Sequence, residues 1–383
     1  MQRIIDDILE LADIRVGGGR PGDPVANDSR VYRRIFGGGS LALGETYMDG
    51  GWDCDRLDVF FHKLLRARLN EKVRPGFSFY LNLIEAWVLN LQSRARAFHI
   101  GERHYDAGND LFQRMLDKRM QYSCAVWDGI SQPGDINAPR EQLVAGLDAA
   151  QEAKLDRICR KLKLEKGMSL LDIGCGWGGL AQYASERYGV RCVGITVSEN
   201  QAALARERCK GLPVEIRVED YRMTRERFDR IVSVGMFEHV GVKNYKTYFR
   251  TAKRALALDG IFLLHTIVGE KSEIGFDPWY LKYIFPNTML PSVCQITHAA
   301  EDLFVLENAE NIGPHYANTL LAWKEKFNAS WDEIKSEYDD RFRRMWNYYL
   351  CCSAGTFSSR MNQVWQFVFT PEGMIGGAPG VLR

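Results

Sequence analysis

Residues 171–179, Leu171-Asp-Ile-Gly-Cys-Gly-Trp-Gly-Gly179, decide the fold of this 383-residue chain. They join a short apolar run to a helical pattern, and glycines at that junction let the backbone turn tightly and lie against a ligand. Short β-type runs separated by helix-length segments surround the junction, at 168–173, 191–196, 214–218, 228–234 and 260–266. Strands that alternate with helices predict an α/β fold with a parallel, doubly wound sheet.

The glycine spacing in this loop fits more than one ligand. Gly174, Gly176 and Gly179 satisfy G-x-G-x-x-G, the pattern of nicotinamide and flavin dinucleotide sites. A dinucleotide site also needs an acid about 20 residues further on, where it holds the ribose hydroxyls. This chain has Thr196 at that place, and Glu199 comes only after the strand.

Asp172 favours S-adenosylmethionine as the ligand. A carboxylate that ends the first strand can face the cationic amino group of a methionine moiety, while Thr196 and Gln201 can hold the ribose through neutral hydrogen bonds. We therefore interpret the loop as an S-adenosylmethionine site. A dinucleotide site and a glycine turn without a ligand remain the alternatives.

Reactive side chains follow the later strands of the same pattern. Glu238 and His239 come just after the fourth run, and His265 lies within the fifth. Because parallel strands end at one edge of the sheet, this edge gathers an acid and two imidazoles near the loop. A lone histidine in an apolar strand is more often a core residue, but a Glu-His pair beside a cofactor site favours chemistry.

Composition excludes several classes of protein. The chain is 46% hydrophobic and 26% charged, which excludes a disordered protein, and its 50 basic and 49 acidic residues give no global attraction to nucleic acid. Nine cysteines contain no C-x-x-C pair, so we expect neither a metal site nor a disulfide framework but reduced thiols in the cytoplasm. The acidic start is unlike a signal peptide, and no run is long enough to span a bilayer.

Outside the alternating region, patterns are mainly helical. Glycines at 17–19 and 37–39 predict turns, residues 56–104 and 138–163 predict helices, and 270–300 is interpreted as a cover over the ligand edge. Helical patterns at 317–350 and a last strand at 363–370 complete the chain.

The first helical region is also basic. Residues 62–104 contain eight lysines and arginines against three glutamates, beside apolar helix faces. Basic amphipathic helices are typical of attachment to an anionic lipid surface. The alternative is a small helical domain with solvated charged faces.

Seven motifs in order resemble the cyclopropane-fatty-acyl-phospholipid synthases and, more distantly, the mycolic acid cyclopropane synthases. They lie at 44–57, 104–112, 122–124, 172–179, 235–240, 265–267 and 283–287, and the resemblance as a whole covers nearly the entire chain. The resemblance implies a class I methyltransferase (Rossmann-like) sheet at 105–383 behind a small, mainly helical N-terminal domain at 1–104. That domain would contact a lipid surface or a second subunit in a homodimer.

The resemblance implies that a cis double bond of a phospholipid acyl chain attacks the methyl group of S-adenosylmethionine. The resulting carbocation loses a proton to a bound bicarbonate, and the ring closes. The residues that match the family's bicarbonate site are Cys124, Glu238, His265, the Ile267 backbone and Tyr316. Glu238 is the unusual member, since two anions repel unless they share a proton.

The resemblance also implies a set of cofactor residues and a place in the cell. Besides Asp172, this set comprises Tyr122, Ser123, Gly174, Gly176, Thr196, Gln201 and Tyr221. A phospholipid with an unsaturated acyl chain is the implied partner, and the cytoplasmic enzyme would attach peripherally to the inner face of the membrane. Aromatic rings are expected to shield the cation, namely Phe237, Trp279, Tyr280, Tyr283, Phe285 and Tyr316.

Two other functions stay open, and one residue departs from the family. The open functions are a methyltransferase that leaves a branched methyl or methylene group on a lipid, or acts on a soluble acceptor, and an inactive lipid-binding protein. Ser353 stands where phospholipid synthases tend to have a cysteine, so a thiol has no role there. The neighbouring Cys351 and Cys352 are interpreted as small buried residues.

Overall fold

The computed structural model describes residues 2–69, 108–273 and 275–377. Two short strands pair near the N-terminus, and seven strands form the main sheet: β1 (Val25–Ala26), β2 (Trp52–Asp53), β3 (Ser169–Ile173), β4 (Arg191–Thr196), β5 (Val214–Val218), β6 (Phe228–Val234), β7 (Leu256–Gly269), β8 (Val305–Asn311) and β9 (Asn362–Thr370). The order in the main sheet is β5-β4-β3-β6-β7-β9-β8. Strands β3 to β7 are parallel, and β9 pairs antiparallel with both β7 and β8.

The helices of the described ranges pack around this sheet or form the N-terminal part. They are α1 (Gln2–Glu10), α2 (Arg30–Met48), α3 (Leu57–Arg66), α4 (Asn109–Met115), α5 (Arg140–Lys161), α6 (Gly179–Tyr188), α7 (Glu199–Arg208), α8 (Tyr245–Ala255), α9 (Pro278–Tyr283), α10 (Val293–Ala300), α11 (Pro314–Ala329), α12 (Trp331–Ile334) and α13 (Asp340–Ser358). No helix of these ranges is long and apolar enough to cross a membrane.

The sheet order fixes where a ligand binds. The chain builds β3, β4 and β5 toward one edge and then returns to place β6 and β7 on the other side of β3. Between β3 and β6 the loops after the strands diverge and leave a crevice, which is the ligand site of doubly wound sheets. The loop after β3 lies there, with Gly174 at φ 83° and Gly176 at φ 53°, in the backbone region that glycine tolerates best.

The predicted α/β fold is confirmed, and its five parallel strands lie where the sequence pattern placed them. Strand β8 was not predicted, because Val305–Asn311 carries polar residues on a sheet edge and lacks an apolar alternation. The expected turn at 37–39 is present as a break within α2, because the backbone of Gly39, at φ 57° and ψ −139°, is not helical and kinks the helix into two parts. The second helix expected within 56–104 lies outside the described residues.

The N-terminal residues share a hydrophobic core with the C-terminal helices. Helix α3 packs on α13, and a Cβ on Gly355 would lie 2.5 Å from the Phe61 Cβ. Arg344 of α13 donates hydrogen bonds to the Tyr47 and Trp52 carbonyls at 2.6 and 2.8 Å. The division at residue 104 stays a prediction.

Candidate active site

Two cavities meet at the carboxyl edge of the sheet. The smaller, of about 180 Å³, lies over the loop after β3, and the larger, of about 1360 Å³, extends from the ends of β6 and β7 to the N-terminal helices. We call them the cofactor cavity and the acyl cavity, after the ligands that the sequence predicts for this protein. Five residues line both, namely Tyr122, Ser123, Gly235, His239 and Phe285. A molecule in one cavity therefore lies against a molecule in the other.

All eight predicted cofactor residues line the cofactor cavity. Asp172 is the charged member at the end of β3, and burial raises the pKa of its carboxyl to about 7. An ammonium group bound against Asp172 would restore its ionised form. This carboxylate therefore suits the amino end of a methionine moiety.

Thr196 and Gln201 form the neutral side of the same cavity. The Thr196 hydroxyl donates to Gln201 Oε1 at 2.9 Å, which leaves the Gln201 amide nitrogen as a donor for a ribose hydroxyl. The Ser198 side chain caps α7 by accepting from the Gln201 N–H at 3.3 Å, so that the start of this helix is held in place. Tyr221 is 6% exposed and packs edge-on against Tyr248, which holds its ring at the cavity wall.

All five residues that were assigned to the anion site line the acyl cavity. Glu238, in the short 3-10 helix Phe237–His239 after β6, is 4% exposed. Its Oε1 accepts the Ile267 N–H at 2.6 Å, whereas its buried Oε2 has no hydrogen-bond partner among the described residues. Burial raises the pKa of Glu238 to about 7, against the opposing effect of the Ile267 N–H.

The Ile267 backbone and Cys124 both have protein partners already. The N–H of Ile267, expected as a donor to an anion, is taken by Glu238, so it acts by orienting that carboxyl. The Cys124 thiol is fully buried and donates to the Ala125 carbonyl at 3.3 Å. Burial raises the pKa of Cys124 well above its usual range, so this group is a neutral thiol.

His265 has a partner that the sequence did not reveal. Gln366 lies opposite His265 on β9, is fully buried, and has its Nε2 3.2 Å from His265 Nδ1. Burial holds the pKa of His265 far below its usual range, so the imidazole is neutral. With Nδ1 accepting from the Gln366 amide, the proton lies on Nε2, and His265 is a hydrogen-bond donor to the cavity.

Three of the six expected aromatic residues, Tyr280, Phe285 and Tyr316, line the acyl cavity. The other three assignments were wrong, because their rings pack elsewhere. Phe237 stacks on Tyr245 at 4.4 Å in a separate core cluster. Trp279 lies 4.4 Å from the Tyr348 ring, and Tyr283 packs under Lys282 and Arg341.

His239, which the sequence placed beside Glu238 at the ligand edge, and Tyr349, which had no predicted role, also line the acyl cavity. Burial lowers the pKa of His239 to about 4, and its Nδ1 lies 3.2 Å from the Thr288 hydroxyl. Tyr349 of α13 shares a hydrogen bond of 2.7 Å with the Tyr122 hydroxyl and so supports a residue between the two cavities. The adjacency of His239 to Glu238 was the one available signal, because partners on distant helices leave no local pattern.

Fold and site together define a class of protein. This sheet order, with an acid at the end of the first parallel strand and a glycine loop after it, is that of a class I S-adenosylmethionine-dependent methyltransferase. The family model described as mycolic acid cyclopropane synthetase matches residues 92–367. The chain belongs to this family of cyclopropane synthases.

Curated relatives cover most of the chain. Cyclopropane-fatty-acyl-phospholipid synthase of Escherichia coli K12 is 50% identical over 368 residues, which are 96% of this chain and 93% of that protein. The tuberculostearic acid methyltransferase UfaA1 of Mycobacterium tuberculosis is 33% identical over 90% of this chain and 82% of its own.

Solved structures agree with the fold. The cyclopropane synthase MmaA2 from Mycobacterium tuberculosis has a TM-score of 0.63 at 31% identity, over 73% of this chain and 99% of that chain. Mycolic acid cyclopropane synthase CmaA1, complexed with SAH and CTAB, has the same TM-score and identity over 71% of this chain and 97% of that chain.

Proposed function

We propose that this protein transfers a methylene group from S-adenosylmethionine to the cis double bond of an acyl chain in a phospholipid. The observation that carries the proposal is the junction of the two cavities. The site for a sulfonium methyl group shares Tyr122, Ser123, Gly235, His239 and Phe285 with a cavity of about 1360 Å³ lined largely by apolar side chains. An acyl chain fits such a cavity, and a small polar acceptor does not need it.

The chemistry needs a dry site as well as a methyl donor. When bound, S-adenosylmethionine would supply an electrophilic methyl group, with S-adenosylhomocysteine as the leaving group, and the acyl chain that accepts the methyl group would carry a positive charge. Water would quench this charge, and apolar side chains such as Leu320 exclude water from the cavity. The rings of Tyr280, Phe285 and Tyr316 can stabilise the cation through their electron-rich faces.

Bicarbonate suits the groups around Glu238. Glu238 Oε2, which has no hydrogen-bond partner among the described residues, and the Nε2 proton of the neutral His265 belong to residues that line the same cavity, and a protonated Glu238 carboxyl is a second donor there. The Tyr316 hydroxyl is a further donor type there. We assign Glu238, His265 and Tyr316 to hold the anion, with Ile267 orienting Glu238 and with Cys124, whose thiol donates to the Ala125 carbonyl, as part of the same cavity wall. Bound there, bicarbonate would supply the base for the methyl proton.

Glu238 is suited to lie beside an anion because of its burial. Its pKa of about 7 means that a proton is available to it at neutral pH, which removes the repulsion between two negative groups. A proton shared between a carboxyl group and an anion belongs to the pair and not to either partner. Glu238 therefore acts as a hydrogen-bond donor to the anion.

We propose that the enzyme binds a membrane surface at its N-terminal region. In support, Ile8, Tyr32 and Phe36 line the acyl cavity, and Phe36 is 58% exposed. The basic residues Lys63, Arg66 and Arg68 bond to Asp13, the Ser359 carbonyl and Glu270 respectively. The other five basic residues of 62–104 lie outside the described residues.

Vesicle binding tests this membrane proposal. Replacing Arg66, Arg68, Arg94 and Arg96 by Gln is expected to weaken co-sedimentation with anionic vesicles but not S-adenosylhomocysteine affinity. If the variant binds the vesicles as well as the wild type does, the basic residues do not contribute to membrane binding. Sedimentation velocity of the wild-type protein without vesicles measures its oligomeric state and so tests the homodimer contact proposed for residues 1–104.

Product analysis tests the reaction itself. The protein is incubated with vesicles of cis-unsaturated phospholipid, S-adenosylmethionine and bicarbonate, and the lipids are analysed by mass spectrometry. The proposal expects a gain of one CH2 unit, with a product that resists hydrogenation. A product that takes up hydrogen would instead be a methylene or methyl-olefin lipid, and unmodified lipid would contradict the lipid reaction.

A further inference from the structure

One buried cation has no part in the site described above. Lys154 projects from α5, is fully buried, and takes part in no ion pair among the described residues. Its Nζ donates to Gln121 Oε1 at 2.5 Å and to Ser123 Oγ at 3.0 Å. A buried ammonium group bonded to neutral acceptors is costly, because the acceptors do not neutralise its charge. We therefore expect the charge of Lys154 to serve a function at a neighbouring group.

The two hydrogen bonds determine how the neutral groups point. Ser123 Oγ accepts from Lys154, so the hydroxyl proton of Ser123 is free to be donated elsewhere. Gln121 accepts through Oε1 and turns its Nε2 to the Arg119 carbonyl at 3.3 Å. Since Ser123 lines the cofactor cavity, its hydroxyl is a donor to that cavity with a positive charge behind it.

Helix α5 holds the same segment at a second point. Gln151, one helical turn before Lys154, is also fully buried, and its Nε2 donates to the Ser123 carbonyl at 2.9 Å and the Gln121 carbonyl at 3.3 Å. Two adjacent turns of one helix thus fix both the backbone and the side chain of Ser123. This segment is positioned from beneath the cavity.

Asp172 provides the opposite charge in the same cavity. Burial raises its pKa, and Lys154 is the neighbour that opposes this effect. Burial lowers the pKa of Lys154 to about 8, against the effects of Asp117, Cys124 and Asp172. A cation behind Ser123 and an anion at Asp172 match the carboxylate and the ammonium group of a free amino acid moiety.

We propose that Lys154 is a positioning residue for the amino-acid end of the cofactor. It holds the Ser123 hydroxyl as a donor to the cofactor carboxylate and gives that end of the cavity a positive potential, opposite Asp172. Lys154 does not touch the cofactor and acts through Ser123. The inference rests on the proposed assignment of Ser123 and Asp172 to the cofactor.

Two nucleosides test this role in the full-length Lys154→Met variant. S-adenosylhomocysteine carries the amino-acid end, and 5′-methylthioadenosine lacks it. By isothermal titration calorimetry, we expect the affinity for S-adenosylhomocysteine to fall roughly tenfold to a hundredfold. The affinity for methylthioadenosine should stay within about twofold, because only contacts near the sulfur and the adenosine remain. A general loss of structure would weaken both.

Lys161→Met is the matched control. Lys161 is on the same helix, its side chain is 1% exposed, and it pairs with Glu310 away from both cavities. Its replacement removes a second buried charge, yet should leave the ratio of the two affinities unchanged. Equal losses for both nucleosides in Lys154→Met, or an unchanged affinity for S-adenosylhomocysteine, would overturn the role of Lys154.

Two further results separate the possible failures. Wild-type protein that binds neither nucleoside would overturn the proposed cofactor site itself. If thermal denaturation shows that Lys154→Met does not fold, Ser123→Ala decides, since it removes the proposed donor and leaves the buried charge in place. In Ser123→Ala the affinity for S-adenosylhomocysteine should fall while the affinity for methylthioadenosine stays unchanged. Wild-type affinity for S-adenosylhomocysteine in this variant would contradict the inference.

Discussion

The cofactor cavity and the acyl cavity are built from the chain in different ways. The first takes most of its wall from short loops that follow β3, β4 and β5, so its residues stand in compact motifs such as 172–176. The second combines α1, α2 and α3 with the ends of β6 and β7 and with α11 and α13. Local sequence thus specifies how the cofactor is held, whereas distant packing specifies the space for the lipid.

Glu238→Gln gives the largest expected separation of the two cavities. The amide cannot share a proton with an anion as the carboxyl does, so lipid methylation should fall by at least about a hundredfold. Affinity for S-adenosylhomocysteine should stay within about threefold, because Glu238 lines only the acyl cavity. Turnover with labelled methyl donor and calorimetry measure the two effects, with Glu226→Gln as a surface control. Near-wild-type turnover would exclude Glu238 from the chemistry.

The stability of Glu238→Gln should depend on pH. The folded-state pKa of Glu238, about 7, lies above the ordinary value of 4.5, so the folded state binds the extra proton between these values. Its contribution to stability is present below about pH 4.5 and is lost as pH rises through 7. The free energy of unfolding of Glu238→Gln should therefore rise relative to that of the wild type by up to roughly 3 kcal/mol between pH 5 and 8. Urea unfolding measures this difference, and a pH-independent difference would contradict the raised pKa.

Gln366→Met tests whether the second layer of the acyl cavity matters for chemistry. Loss of the amide leaves the Nδ1 of His265 without its 3.2 Å partner, so neither the tautomer nor the ring orientation is fixed. Turnover should fall about tenfold with unchanged cofactor affinity. Gln363→Met, on the same strand and outside both cavities, should keep wild-type turnover. Equal turnover in the two variants would show that His265 needs no fixed tautomer.

Two glycines of the cofactor loop should differ in their response to alanine. A Cβ on Gly174 would lie 2.8 Å from Met236 Cβ at φ 83°, so Gly174→Ala should cost about 1–3 kcal/mol of stability. A Cβ on Gly176 would meet no described atom within 4 Å, so Gly176→Ala should cost only about 1 kcal/mol of stability, from the positive φ of the backbone. Urea unfolding compares them. A larger loss in Gly176→Ala would contradict the loop geometry.

The smallest expected effect concerns the far wall of the acyl cavity. Ile8 of α1 lines it, and Ile8→Trp would fill part of the space that we propose for an acyl chain. KM for long-chain lipid should rise about threefold, while cofactor affinity stays unchanged. Assays with vesicles of different acyl lengths measure the change. Altered cofactor affinity with normal lipid kinetics in Ile8→Trp would contradict the assignment of the two ligands to separate cavities.

The sequence allowed much of the fold and most of the candidate site to be predicted. The parallel strands have strong apolar runs. Asp172 lies at the end of one run, and Gly174 and Glu238 come soon after a run, so topology alone brings them to one edge. Cys124 and Tyr316 came from family resemblance, since no periodicity locates a residue on a loop or at a helix start. Their place on the wall of the acyl cavity depends on tertiary packing.

Other parts of the site could not be predicted from local pattern. Gln366 faces His265 only because β9 pairs antiparallel with β7, and Lys154 reaches Ser123 only because α5 packs under that segment. From the local sequence alone, a lysine in a helix is predicted to be a solvent-exposed charge, even where it is buried. Phe237 and Trp279 failed as cavity residues because neighbouring aromatic rings hold them in the core.

Counting deuterium in the lipid product tests the central claim most directly. With S-adenosylmethionine that carries a CD3 group, transfer at the junction of the two cavities followed by ring closure removes one deuteron from the methyl group. We expect a product that contains a CD2 unit and resists hydrogenation, with the third deuterium found in water. A product that retains all three deuterium atoms would contradict ring formation.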